Sequence, residues 1–126
     1  MYSRRKHNVA AARFQDRRKR EDEAPRLTAE APDVTGLKLT MEERSADVAL
    51  EPAHIRRVII ERAPALFLVP CGDARCLDGG HDITRAVMRA LRNHETTFED
   101  SDACSGSTGT SPCTRVLHVT GVAEYR

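Results

Sequence analysis

The chain has 126 residues and a formal net charge of +1, which allows one small domain and an extension. Leu, Ile, Val and Phe make up about a fifth of the residues, and only four of these 25 lie in the first 36 positions. A modest hydrophobic core is therefore expected within residues 37–126. No apolar run is long enough for a membrane span, and none follows the basic N-terminus as in a secretory signal, so we expect a cytoplasmic protein.

The N-terminal segment is basic. Residues 1–26 carry nine Lys and Arg against four acidic residues, whereas the remaining hundred carry 11 basic and 15 acidic ones. Residues 10–23 lack Gly, Pro and an apolar stripe, which predicts a helical arm that packs weakly on its own domain. Such an arm is typical of a solvated helix, and it is also seen in proteins whose basic residues contact RNA, DNA, a ribosome or a protein partner. The candidate nucleic-acid-binding residues are Arg4, Arg5, Lys6, Arg13, Arg17, Arg18, Lys19 and Arg20.

A polar linker is predicted after the arm, so that residues 1–35 form the arm and linker and residues 36–126 form a small metal-binding domain. Alternating apolar and polar residues over 37–43 predict a half-buried strand. Residues 54–69 predict a second extended block that is interrupted at Pro64. Its continuous apolar end, 66–69, is typical of a central strand.

One convincing helix follows, because Ile83, Val87, Met88 and Leu91 recur at helical spacing. Asp82 is its expected N-cap and Asn93 its expected end. Residues 96–99 and 115–125 predict two more strands, and the acidic run 99–102 is expected in a solvated turn. The fold class is therefore α+β, in the order β-β-β-α-β-β, with one main helix packed on a mostly antiparallel sheet.

Four cysteines are the main candidates for chemistry: Cys71, Cys76, Cys104 and Cys113. Each pair lies in a predicted loop, with C-x4-C and C-x8-C spacing. If both loops leave the sheet at the same end, four thiolates converge and bind a soft divalent cation such as zinc. His81 is a further candidate ligand or a hydrogen-bond partner of a ligand, and the alternative is a histidine near the helix start with no metal role. An iron–sulfur cluster, two disulfides and free thiols are the alternatives.

The order strand, Cys, Cys, helix, strand, Cys, Cys, strand over residues 65–125 resembles that of thioredoxin-like 2Fe-2S ferredoxins. In that family the cluster ligands lie in two loops at one end of a sheet, and the chain ends in a hairpin. The resemblance implies a 2Fe-2S electron-transfer protein as the alternative to a zinc protein. The string C-G-D-A-R-C-L-D-G-G-H-D-I-T also resembles uncharacterised bacterial cysteine-rich small proteins, which implies no activity.

Catalytic motifs are missing from the sequence. It contains no G-x-S-x-G, HExxH, Walker loop or G-x-G-x-x-G. The Gly-rich segment 106–109 lacks the Lys that a phosphate-binding loop needs. The sequence therefore favours a metal-stapled binding module over an enzyme.

Overall fold

The computed structural model describes the backbone of residues 2–45, 48–50 and 52–126, and the side chains of residues 9, 11–45, 50 and 52–126. Within this described part, no helix is long and apolar enough to cross a membrane. One turn of 3-10 helix covers Ile60–Arg62. In chain order the other elements are α1 (Tyr2–Glu23), α2 (Leu27–Glu30), β1 (Val34–Ser45), β2 (Val48–Ala49), β3 (His54–Arg57), β4 (Leu68–Val69), β5 (His81–Asp82), α3 (Thr84–Arg92), β6 (Thr97–Ala103), β7 (Ser107–Thr108), β8 (Ser111–Pro112) and β9 (Val116–Tyr125).

The main sheet is antiparallel and is built around β1 and β9. β9 pairs along nearly the whole of β1, from Val34 with Tyr125 to Arg44 with Val116. β6 pairs with the other edge of β9, while β3 and β2 share the far edge of β1. Two short hairpin-like sheets, β4 with β5 and β7 with β8, stand beside it. The predicted α+β class with a mostly antiparallel sheet is confirmed.

The core lies between one face of this sheet and α3. The sheet contributes Leu39 and Val119 to this core. The helix contributes Val87 and Leu91, as their spacing predicts. The helix begins at Thr84, whose backbone N–H donates to the Asp82 carboxylate at 3.0 Å. Apolar residues recur on one face of the sheet and on one face of α3. These two faces therefore pack against each other and form the core of the domain.

Three buried residues lie in the segment that was predicted to be a linker. Leu27 is fully buried, and Ala31 and Val34 are buried as well. The segment is held by pairing, since the Leu27 N–H donates to the Ala63 carbonyl at 2.9 Å. Of the predicted linker, which spans about residues 24–36, the part from Leu27 onward therefore belongs to the packed core.

The apolar segment 66–69 does not form a central strand. β4 covers Leu68–Val69 and pairs with β5 outside the main sheet. Phe67 is the residue that enters the core, and its backbone N–H donates to the Thr84 hydroxyl at 2.8 Å. Residues 66–69 are therefore apolar because they pack against the start of α3, not because they lie in the centre of a sheet. The acidic run 99–102 also differs from prediction, because it lies within β6.

Candidate metal centre

The four cysteines lie in two loops at the end of the sheet where β1 and β6 finish and β9 begins. Cys71 and Cys76 lie between β4 and β5, Cys104 directly follows β6, and Cys113 directly follows β8. Main-chain contacts position the loops. Cys76 forms a β-bridge with Thr108, and the Cys104 N–H donates to the Arg115 carbonyl at 2.9 Å. The bridge joins the loop of the first cysteine pair to that of the second, and the pairing of β6 with β9 fixes the position of Cys104.

The four sulfur atoms form one cluster. All lie within 4.8 Å of one another, with 3.8 Å between Cys71 and Cys113 and 3.6 Å between Cys76 and Cys104. None of the four is in a disulfide. Three of them are buried, and Cys71 is partly exposed. The predicted convergence is confirmed, and these four cysteines could hold a metal ion.

Two glycines allow the loops to close around the sulfur atoms. A Cβ on Gly106 would lie 2.5 Å from the backbone N and Cα of Gly79 and 2.6 Å from the sulfur of Cys76. A Cβ on Gly79 would meet the sulfur atoms of Cys104 and Cys76. Only residues without a side chain fit this contact, because the two backbones pack directly against each other.

The thiols differ in how easily they ionise. Burial raises the pKa of Cys71 far above its usual value, and the neighbouring Cys113 and Cys104 raise it further. Burial also raises the pKa of Cys76, as does its hydrogen bond with Cys104. Burial acts in the same direction on Cys104, but hydrogen bonds from the Gly106 backbone and the Cys76 thiol outweigh it, and the pKa falls. Such crowded thiols cannot all ionise alone, and a divalent cation would offset their mutual repulsion.

The two loops are also joined away from the sulfur atoms. The backbone N–H of Ser107 donates to Asp78 at 2.8 Å, and its hydroxyl donates to the other carboxylate oxygen at 3.3 Å. Both hydrogen bonds lower the pKa of Asp78, and the bond from the Ser107 backbone has the larger effect. The carboxylate therefore fastens the first cysteine loop to the second at neutral pH.

A buried histidine lies beside the cysteine cluster. The side chain of His81 is fully inaccessible to solvent, with Nδ1 at 3.3 Å from Asp102 and Nε2 at 3.1 Å from Glu43. Glu43 also accepts hydrogen bonds from the backbone N–H of Gly72 at 2.9 Å and from Arg115 at 3.0 Å. Glu43 thus links the sheet, the first cysteine loop and His81.

Sequence reasoning missed Glu43 and Asp102. Glu43 continues the inward phase of Leu37, Leu39 and Met41, so it is an acidic residue on the buried face of a strand. That break in the apolar pattern is the signal that could have found it, since a buried carboxylate requires partners. Asp102 was assigned to a solvated turn, and its strand position brings it to His81.

The basic arm is helical from Tyr2 to Glu23, as predicted. Phe14 is half exposed, and Arg17 lies over its ring at 5.3 Å. Arg13 contacts the body, donating to the Cys76 carbonyl at 3.2 Å, and a cleft of about 1210 Å³ separates the arm from the cysteine loops. Among the candidate nucleic-acid-binding residues, Arg18, Lys19 and Arg20 are exposed, Arg17 approaches Glu21 at 3.8 Å, and the side chains of Arg4, Arg5 and Lys6 lie outside the described residues.

Arg13→Ala should detach the arm from the first cysteine loop. A hydrogen bond from a charged group contributes roughly 1.5–3 kcal/mol, so trypsin should cleave the arm about tenfold faster while the body resists. Mass spectrometry of a digestion time course measures this. Lys19→Ala, on the exposed side of the same helix, is the control and should leave cleavage elsewhere in the arm unchanged. Equal rates for Arg13→Ala and the unaltered chain would contradict the docking role.

Comparison with protein-family models, with curated proteins and with solved structures found no match to this chain. The resemblances to thioredoxin-like 2Fe-2S ferredoxins and to bacterial cysteine-rich proteins stay predictions. The interpretation of the centre therefore rests on its geometry. Four clustered sulfur atoms could hold a metal ion, and a buried histidine between two carboxylates lies next to them.

Proposed function

We propose that the chain is a non-catalytic binding module in which Cys71, Cys76, Cys104 and Cys113 hold one zinc ion. The observation that carries this proposal is the sulfur spacing. Bonds of about 2.3 Å from zinc to sulfur in a tetrahedron require sulfur atoms roughly 3.8 Å apart. Two of the sulfur separations here are 3.6 and 3.8 Å, and all four sulfur atoms lie within 4.8 Å of one another. Four protein ligands fill the tetrahedron and leave no position for a substrate, which favours a structural role.

The 2Fe-2S electron-transfer protein is the alternative function. Such a cluster binds two thiolates at each iron, so its two thiolate pairs stand further apart than the edges of one tetrahedron. Here every pair of the four sulfur atoms is separated by 4.8 Å or less, which favours a single ion over a two-iron cluster. Colour separates the two functions, because a zinc protein is colourless and a 2Fe-2S protein is red-brown.

Thiol alkylation during metal titration tests the zinc centre. Anaerobically prepared apo protein should show four reactive cysteines by mass spectrometry, and the first equivalent of zinc should protect all four together. Cys104→Ser should weaken the protection of the remaining three, whereas Ser105→Ala should not. Iron with labile sulfide in the purified protein would establish the alternative. Four thiols that stay reactive at saturating zinc would overturn the centre.

We further propose that the basic residues of the arm bind the phosphate backbone of a nucleic acid. Arg18, Lys19 and Arg20 are exposed in succession on α1, and the rest of the chain is mildly acidic, so positive charge is concentrated there. Contacts to phosphates release counterions, so binding of this kind weakens steeply as salt is added.

Neutralising these three residues to Gln should weaken binding to an RNA or DNA duplex. The slope of log K against log salt is negative and should become less steep by roughly two to three, since each lost phosphate contact accounts for about 0.7–0.9 of it. The matched control replaces three exposed arginines of α3, Arg85, Arg89 and Arg92, with Gln. Fluorescence anisotropy at several salt concentrations measures both. An equal loss in the control, or no salt-dependent binding at all, would overturn the arm's role.

A further inference from the structure

We propose that Glu43, Cys71 and His81 hold a second divalent cation, directly beside the four-cysteine centre. One ligand atom from each of these residues lies within 4.8 Å of the other two. The Cys71 sulfur belongs to both groups, so its thiolate would bridge the two ions. The inference rests on the proposed four-cysteine centre through this shared residue.

The spacing of the nitrogen and oxygen ligands suits one ion. His81 Nε2 and Glu43 Oε1 are 3.1 Å apart. Two ligands bound to zinc at about 2.0–2.2 Å in a tetrahedron lie roughly 3.3–3.6 Å from each other, so a small outward shift of these two side chains would admit the ion. Imidazole, carboxylate and thiolate together favour a borderline cation such as zinc or cobalt over magnesium or calcium, which prefer oxygen ligands.

The other ring nitrogen of His81 supports the same role. Nδ1 faces Asp102 at 3.3 Å, and a histidine that binds a metal commonly donates its second N–H to a carboxylate. Asp102 is thus a positioning residue that fixes the tautomer in which Nε2 is free to bind.

The excess of negative charge around the cysteine cluster also favours a second cation. Four thiolates around one divalent cation retain two net negative charges, and Glu43 and Asp102 add two more. Arg115 offsets one of these at 3.0 Å from Glu43 Oε2 and leaves Oε1 to face His81. A second cation would reduce the remaining excess. Three protein ligands leave its fourth position for water, unlike the closed four-cysteine site.

Metal stoichiometry tests the second site directly. The full-length apo protein is titrated with zinc while calorimetry and metal analysis measure the number of bound ions. Binding should saturate at two ions per chain. Cobalt(II) provides a signature, because the first equivalent should give strong thiolate charge-transfer absorption and the second should add bands of a mixed nitrogen, oxygen and sulfur site. His81→Gln should bind one ion and retain the first spectrum, which also shows that it folds.

Asp102→Asn keeps the size of the positioning residue and should weaken only the second ion, by 10- to 100-fold. His118→Gln, on the opposite face of β9, is the matched control and should bind two ions. One ion in the unaltered chain at saturating zinc, or two ions in His81→Gln, would overturn the second site and leave the first intact. Binding of no ion would overturn both sites.

Discussion

Excess chelator at equilibrium should lower the melting temperature steeply, and Cys76→Ser should do so without chelator. The sulfur cluster packs separately from the main core, so the loops around it depend on their own contacts. Structural zinc contributes on the order of 10 kcal/mol in small peptides, comparable with the whole stability of a domain, about 5–15 kcal/mol. Acidification should act in the same direction, because protons compete with the ion for thiolates.

Thermal melts followed by circular dichroism measure this effect, and amide NMR signals over residues 66–120 should broaden as the ion is removed. Arg92→Ala is the control. It removes an exposed ion pair with Glu30 at 3.3 Å, which contributes less than about 1 kcal/mol. An unchanged melt in protein shown to have lost its metal would mean that the fold stands without the ion.

Gly106→Ala should damage the metal centre, because the two cysteine loops leave no room for a methyl group at this position. The new Cβ would lie 2.5 Å from backbone atoms of Gly79, which have no flexible end to move away. Overpacking of this kind costs roughly 1–3 kcal/mol, and here it also pushes the two cysteine loops apart. We therefore expect a lower melting temperature together with at least tenfold weaker binding of the first zinc equivalent.

Gly36→Ala is the matched control for this substitution. A Cβ at Gly36 would approach the flexible side chain of Glu124 at 3.2 Å, which can shift. Zinc affinity should therefore be unchanged in Gly36→Ala, and its melting temperature should change little. Calorimetric titration and thermal melts compare the two variants. Equal zinc affinities would show that Gly79 and Gly106 are not packed as described.

The periodic spacing of apolar residues in the sequence was enough to predict the strand and the helix that each have one buried face. The alternation of Leu37, Leu39 and Met41 predicted β1, and the spacing of Val87 and Leu91 predicted α3, because periodic apolar residues encode which side of an element is buried. The burial of Leu27 was not predictable in this way. A single apolar residue among polar neighbours carries no period, and its partner Ala63 is distant in the chain.

The identity of the four cysteines as one group also came from the sequence, since cysteine is chemically distinctive and both pairs lie in loops between predicted elements. Only the tertiary structure decided that Glu43, His81 and Asp102 meet beside Cys71, and that Arg13 reaches the Cys76 carbonyl. These residues come from four separate segments. Their meeting depends on the register of β1 and β6 against β9 and on the path of the arm, and long-range register is set by packing of the whole chain rather than by any local pattern.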